Sequence, residues 1–142
     1  MKKENQIKIF IVEDNEVYAK SLQIFVKNSF PHIKEIKIFR IGELCLLEMN
    51  LNPDIVIMDY FLNSKYEEAQ NGLEIIKRIK TQKPKTNIIV LSQQKDFNVV
   101  LEVIRQYDCL YVQKDQESFS KIELFIKEIL KSKHTLSSTQ WN

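Results

Sequence analysis

The chain has 142 residues, 21 of them basic and 19 acidic for a formal net charge of +2, with 28% charged and 44% hydrophobic residues. That is the size and make-up of one folded domain, and it excludes two independent domains, a disordered chain and a coiled coil. The near-neutral charge, with basic residues scattered along the chain, gives no footprint for nucleic acid, and the two glycines, Gly42 and Gly72, cannot write a dinucleotide or P-loop phosphate cradle.

The amino-terminal residues are polar and no apolar run approaches the ~18 residues of a membrane span, so a soluble, cytoplasmic protein is expected. Residues 7–12 read as a strand ending in Glu13-Asp14, after which Asn15 can cap a helix carrying Val17, Leu22, Phe25 and Val26 on one face. Phe30-Pro31-His32 stops that helix. A second strand at 36–39 precedes a short helix marked by Leu44, Leu47 and Leu51, opened by Gly42 and broken at Asn52-Pro53, because proline disfavours helical geometry at the residue before it. Residues 55–58 form a fully apolar third strand ending at Asp59. After a polar loop closed by Gly72, Leu73, Ile76 and Ile79 mark a third helix that ends before Pro84. A fourth strand at 87–91 ends at Ser92, and Asp96 can cap a fourth helix with Val99, Val100, Val103 and Ile104. A fifth strand around 110–112 leads to Lys114. Phe119, Ile122, Ile126 and Ile129 then have the spacing of a last amphipathic helix. Residues 1–131 are expected to form the domain and 132–142 a polar tail or linker stub. Cys45 and Cys109 lie in apolar runs without metal spacing and read as buried free thiols, while His32 and His134, with no ligand neighbours at metal spacing, read as surface residues.

Five strand-helix pairs with continuously apolar strands predict an α/β fold, a (βα)5 doubly wound parallel sheet covered on both faces. In such sheets functional groups gather beyond the carboxyl ends of the strands. Those positions hold Glu13, Asp14, Asp59, Ser92 and Lys114. Three converging carboxylates repel one another unless a cation or proton neutralises them. Oxygen-only ligation suits a hard cation such as Mg²⁺. A carboxylate can attack phosphorus, a lysine can neutralise the transferred group, and a serine can donate a hydrogen bond to it.

Glu13-Asp14-Asn15 after the first strand, Asp59 ending the third, Ser92 ending the fourth and Lys114 ending the fifth together resemble the receiver domain of two-component response regulators, a chemotaxis-regulator-like superfamily, over residues 7–131. The resemblance implies a flavodoxin-like three-layer sandwich of strand order 2-1-3-4-5. It implies Mg²⁺ held by Glu13, Asp14, Asp59 and the backbone carbonyl of Phe61. It implies Asp59 as phosphoacceptor, supplied by a phosphohistidine on a sensor histidine kinase or phosphotransfer protein, with Ser92 and Lys114 on the phosphoryl oxygens. Ser92 and Tyr111 would be the switch that reshapes the face of the fourth helix, fifth strand and fifth helix, the expected surface for a target or a second copy of the chain. Such a protein is a signalling switch rather than a turnover enzyme.

Three departures from the family pattern stand out. The segment from Asp59 to Gly72 is long, lacks a proline, and carries Glu67 and Glu68 near the expected metal. Lys114 is followed by Asp115 instead of proline, so a trans peptide is expected there. Gln93 and Phe61 are bulky beside the acceptor and should slow loss of the phosphoryl group. A dehalogenase-like phosphatase would need an acid where Phe61 stands, and the acidic run Glu13-Asp14-Asn15-Glu16 would repel a flavin phosphate. The alternative that persists is a receiver-shaped interaction module that is not phosphorylated. Kinase, target and oligomeric state are not written in the residues.

Overall fold

Successive residues of a strand point to opposite faces, and in this chain both faces are apolar, so each central strand must be covered twice. The structure, a computed structural model, describes residues 4–61 and 72–139. Its elements are β1 (Lys8–Val12), α1 (Glu16–Ser29), β2 (Glu35–Phe39), α2 (Gly42–Leu47), β3 (Ile55–Asp59), α3 (Gly72–Gln82), β4 (Asn87–Ser92), α4 (Phe97–Tyr107), β5 (Leu110–Gln113) and α5 (Ser118–Thr139). The five strands are all parallel in the order β2-β1-β3-β4-β5. The predicted doubly wound α/β sandwich is what the chain forms.

The alternation sorts the apolar residues into two cores. Ile9, Ile11, Ile55, Ile57, Ile89, Leu91 and Val112 meet Leu22 and Val26 of α1 and Ile122 and Ile126 of α5. Phe10, Val12, Val56, Met58 and Val90 point the other way, onto Cys45, Ile75, Ile76, Ile79, Val100 and Val103 of α2, α3 and α4. Burying a side chain of this size contributes about 1.5–3 kcal/mol, which fixes the register of β3, buried along its whole length. At the β2 edge, Gln23 Nε2 donates to the Ile36 carbonyl at 2.8 Å and occupies one of the acceptors that an edge strand leaves open.

Several local expectations are corrected. Leu44 and Leu47 do not face the core; they are 46% and 77% exposed, and α2 buries Gly42 and Cys45 instead, because Gly42 packs directly on Ile75. Val17 and Val99 are likewise exposed while their helices bury Ala19, Leu22 and Val26, and Val100 and Val103. Asn15 caps α1, its Oδ1 accepting from Tyr18 N at 3.0 Å. Asp96 stands at the α4 N-cap position but makes no side-chain cap bond, because a short 3-10 turn at Gln94–Asp96 leads into the helix. The chain leaves the 3-10 turn Met49–Leu51 through Asn52 in the left-handed region at φ 58°, a conformation asparagine tolerates better than most residues. α5 runs on to Thr139, into the stretch expected as a polar tail or linker stub, where no glycine or proline ends the helix. Among the described residues no peptide bond is cis, so Lys114-Asp115 is trans as expected. Cys45 and Cys109 are buried free thiols. The loop expectation for Glu67 and Glu68 lies outside the described residues, as does the surface role of the His134 side chain.

Candidate functional site

The carboxyl ends of β1, β3 and β5 converge on one cleft of about 300 Å³ lined by Asp14, Asn15, Asp59, Phe61, Gln93, Lys95, Asp96 and Lys114. Glu13 and Asp59 are placed by the main chain. Glu13 follows β1 and its N–H donates to the Phe39 carbonyl at 2.9 Å, which turns its side chain inward, where the residue is 1% exposed. Asp59 ends β3. Its Oδ1 accepts from Phe61 N at 3.0 Å, and the next residue, Tyr60, donates to the Leu91 carbonyl at 2.9 Å. Carboxylate oxygens of Glu13, Asp14 and Asp59 all lie within 4.8 Å of one another, the grouping that the strand ends predicted.

Lys114 lies between them. Its Nζ donates to Asp59 Oδ2 at 2.9 Å and to Glu13 Oε1, and its side chain is 19% exposed. Its backbone N–H is held by the Ser92 carbonyl at 2.8 Å, which extends the β4-β5 ladder by one bond. Burial pushes the Glu13 carboxyl up to about 7; its bond to Lys114 pulls the other way and the charge of Asp59 adds to the rise. For Lys114 burial works against the ammonium, but the hydrogen bonds to Glu13 and Asp59 and their charges outweigh it, and the net direction is up. The site therefore gathers three carboxylates around one ammonium, and the rise in Glu13 comes first from its burial and then from the charge of Asp59.

The donor set suits a hard divalent cation. Three carboxylates supply oxygens alone, with no imidazole or thiolate nearby among the described residues, and that set fits Mg²⁺ better than a softer metal. Phe61, expected to contribute its carbonyl, lies on the cleft wall, the residue 43% exposed. Gln93 lines the same wall and is exposed.

Ser92 and Tyr111 meet each other rather than the acids. The Ser92 hydroxyl donates to Tyr111 Oη at 3.1 Å and more distantly, at 3.4 Å, to the Gln93 carbonyl; Tyr111 Oη donates in turn to the Ser92 carbonyl at 3.3 Å. The Tyr111 ring also stands edge-on to Phe97 of α4, centroids 5.0 Å apart. Sequence reading missed Lys95 and took Asp96 only as a helix cap, although both follow β4 and reading the whole loop beyond that strand would have placed them at the site. It also missed Tyr18, whose ring lies 4.5 Å from Lys114 Nζ.

The model of the response regulator receiver domain family matches residues 9–124. No curated protein matches the chain by sequence. Among solved structures, the signal receiver domain of a DNA-binding response regulator from Colwellia psychrerythraea 34H superposes with a TM-score of 0.72 at 23% identity, covering 89% of this chain and 99% of that one. A LuxR-family DNA-binding response regulator from Staphylococcus aureus does so with 0.73 at 18%, covering 88% and 99%. The N-terminal domain of an uncharacterized protein from Wolinella succinogenes reaches 0.70 at 26%, covering 92% and 98%. With the family model spanning most of the chain and the acids, lysine and strand order all in their places, this protein belongs to the response regulator receiver domain family.

Proposed function

We propose that the domain is a phosphorylation switch in which Asp59 accepts a phosphoryl group with the help of Mg²⁺. The observation that carries this reading is the placement of Asp59 on the cleft, its Oδ2 held 2.9 Å from the Lys114 ammonium and its carboxylate grouped within 4.8 Å with those of Glu13 and Asp14. Glu13, Asp14 and Asp59 would hold the cation, with the Phe61 carbonyl beside them. When bound, the metal supplies positive charge for the phosphoryl oxygens and lets the attacking carboxylate approach an anionic donor. An Asp59 oxygen forms the new bond to phosphorus, and the bond from phosphorus to the donor breaks, its electron pair leaving with the donor. Lys114 neutralises charge on the transferred group, its ammonium already standing 2.9 Å from Asp59 Oδ2.

The donor is a phosphohistidine on a sensor kinase or phosphotransfer protein, and the domain acts as a switch rather than a turnover enzyme. Ser92 would carry the signal. Its hydroxyl, now bonded to Tyr111, would turn to a phosphoryl oxygen and release Tyr111, changing the α4, β5 and α5 face where Phe97, Val99 and Leu124 are exposed. That face would then engage a target or a second copy of the chain. Among the described residues no helix is long and apolar enough to cross a membrane, and a cytoplasmic setting, where phosphohistidine donors reside, is part of the proposal.

The test is intact mass after incubation with acetyl phosphate or phosphoramidate and Mg²⁺. A single phosphoryl adduct is expected on the wild type and none on Asp59→Asn. No adduct with small donors and with a panel of kinases would leave a receiver-shaped interaction module as the reading.

A further inference from the structure

We propose that Tyr18 is a positioning residue for Lys114, its ring face holding the ammonium at the cleft. This rests on the role given to Lys114 above. A lysine carries its charge on four flexible methylenes and has no fixed geometry of its own. Here, among the described residues, the ammonium meets the carboxylates of Glu13 and Asp59 and the ring of Tyr18 at 4.5 Å, three contacts of which the last is within the range of a cation-π interaction. The two carboxylates are also the groups a cation would engage, so a metal competes with Lys114 for them. The ring is neutral and does not compete. It is the one of the three contacts that a metal leaves in place.

Tyr18 is itself held from several sides. It lies in the first turn of α1, where its N–H donates to Asn15 Oδ1 at 3.0 Å. Its hydroxyl bonds Ser118 Oγ at 2.9 Å, and Ser118 is buried at the start of α5. Its ring stands edge-on to Phe119, centroids 5.3 Å apart, and Phe119 packs in turn on Phe25. Tyr18 thus bridges α1 to α5 across the turn that carries Lys114. The turn is pinned by its own bonds, Asp115 N to the Gln113 carbonyl at 2.9 Å and Glu117 N to Asp115 Oδ1 at 2.9 Å. The hydroxyl is engaged with α5, so it is the π face that serves the ammonium.

Two measurements on the full chain separate positioning from packing. In metal-free protein the Lys114 ε-methylene protons should be shielded by the ring, and the upfield shift should survive in Tyr18→Phe and vanish in the ringless variants Tyr18→Leu and Tyr18→Met. Phosphoryl uptake from phosphoramidate at saturating Mg²⁺ should fall about threefold to thirtyfold in the ringless variants, the span of a partly to fully desolvated cation-π contact. It should stay within about twofold in Tyr18→Phe and in Ser118→Ala, which lose the α1-α5 hydrogen bond and some thermal stability but keep the ring. An unshielded ε-methylene in the wild type, ringless variants as fast as wild type, or Tyr18→Phe as slow as Tyr18→Leu would each overturn the proposal. If the wild type takes up no phosphoryl group, the phosphoacceptor reading fails, and the shielding measurement alone then decides where Lys114 is held.

Discussion

Replacing Glu13 by glutamine should make the metal-free protein more stable at neutral and alkaline pH, although the change removes a negative charge beside Lys114. Burial raises the Glu13 carboxyl from 4.5 to about 7. Between those values the folded chain holds a proton that the unfolded chain has released, so stability falls as pH rises through that window and has settled at its lower level above about 7. At 1.36 kcal/mol per tenfold change in proton affinity, the full loss is roughly 3 kcal/mol. That figure already contains what charged Glu13 recovers through Lys114 and the Asn15 N–H. Glutamine cannot titrate, and its amide oxygen can still accept from Lys114. Urea unfolding in EDTA from pH 4.5 to 8.5 reads the effect, taken as wild type minus Glu13→Gln so that other titrating groups cancel. The difference should shift by about 2–3 kcal/mol against the wild type as pH rises, which for a chain of this size is several degrees in Tm. A difference that stays flat within about 0.5 kcal/mol across that range would refute the reasoning. The same linkage requires the wild type to release a fraction of a proton when Mg²⁺ binds at pH 7, seen by calorimetry in buffers of different ionisation enthalpy, and Glu13→Gln to release less.

Gly72→Ala should cost about 1–3 kcal/mol, because the new Cβ would stand 2.7 Å from the Tyr60 carbonyl oxygen, which cannot step aside. Gly42→Ala should cost a similar amount, because its Cβ would meet Cγ1 and Cγ2 of Ile75, a β-branched side chain fully buried in the core; a loss below about 0.5 kcal/mol in chemical denaturation would contradict this. Gln93→Ala opens the cleft wall beside Asp59 and should hasten loss of the phosphoryl group severalfold, followed by intact mass after donor removal; an unchanged half-life sinks the access argument. Burial pushes the thiols of Cys45 and Cys109 up to about 12 and about 11, so both should resist iodoacetamide at pH 8 until the protein is unfolded. Labelling of either native thiol at the rate of the unfolded chain would be inconsistent with their placement.

The strand ends were readable because each is marked by a change of chemistry within two residues: Val12 to Glu13, Met58 to Asp59, Leu91 to Ser92. A parallel sheet then carries all of these to one side, so the acidic group followed from order alone. What the sequence could not show depended on which neighbour a helix met. The 3-residue spacing of Leu44 and Leu47 looked like a buried face, yet the packing partner Ile75 accepts Gly42 and turns that face outward. Tyr18 and Ser118 are 100 positions apart and no local pattern joins them; only the packing of α1 beside α5 brings them within 2.9 Å. The chemistry of Asp96 suited a cap, but backbone geometry before α4 gave the cap no side-chain bond.

The bond from Lys114 N–H to the Ser92 carbonyl, with Tyr111 Oη on the same carbonyl, bears on how fast such a switch can respond. With its main chain tied to β5, Ser92 can move its Oγ only by rotation about the Cα–Cβ bond. Relaying the state of Asp59 to Tyr111 is then a single torsional step, of a kind that takes picoseconds to nanoseconds in unhindered side chains and longer in packed ones. Arrival and loss of the phosphoryl group are far slower chemical events. On the proposed function, the duration of an output is therefore set at the cleft by Gln93, Phe61 and Lys114, and the relay itself adds no memory of its own.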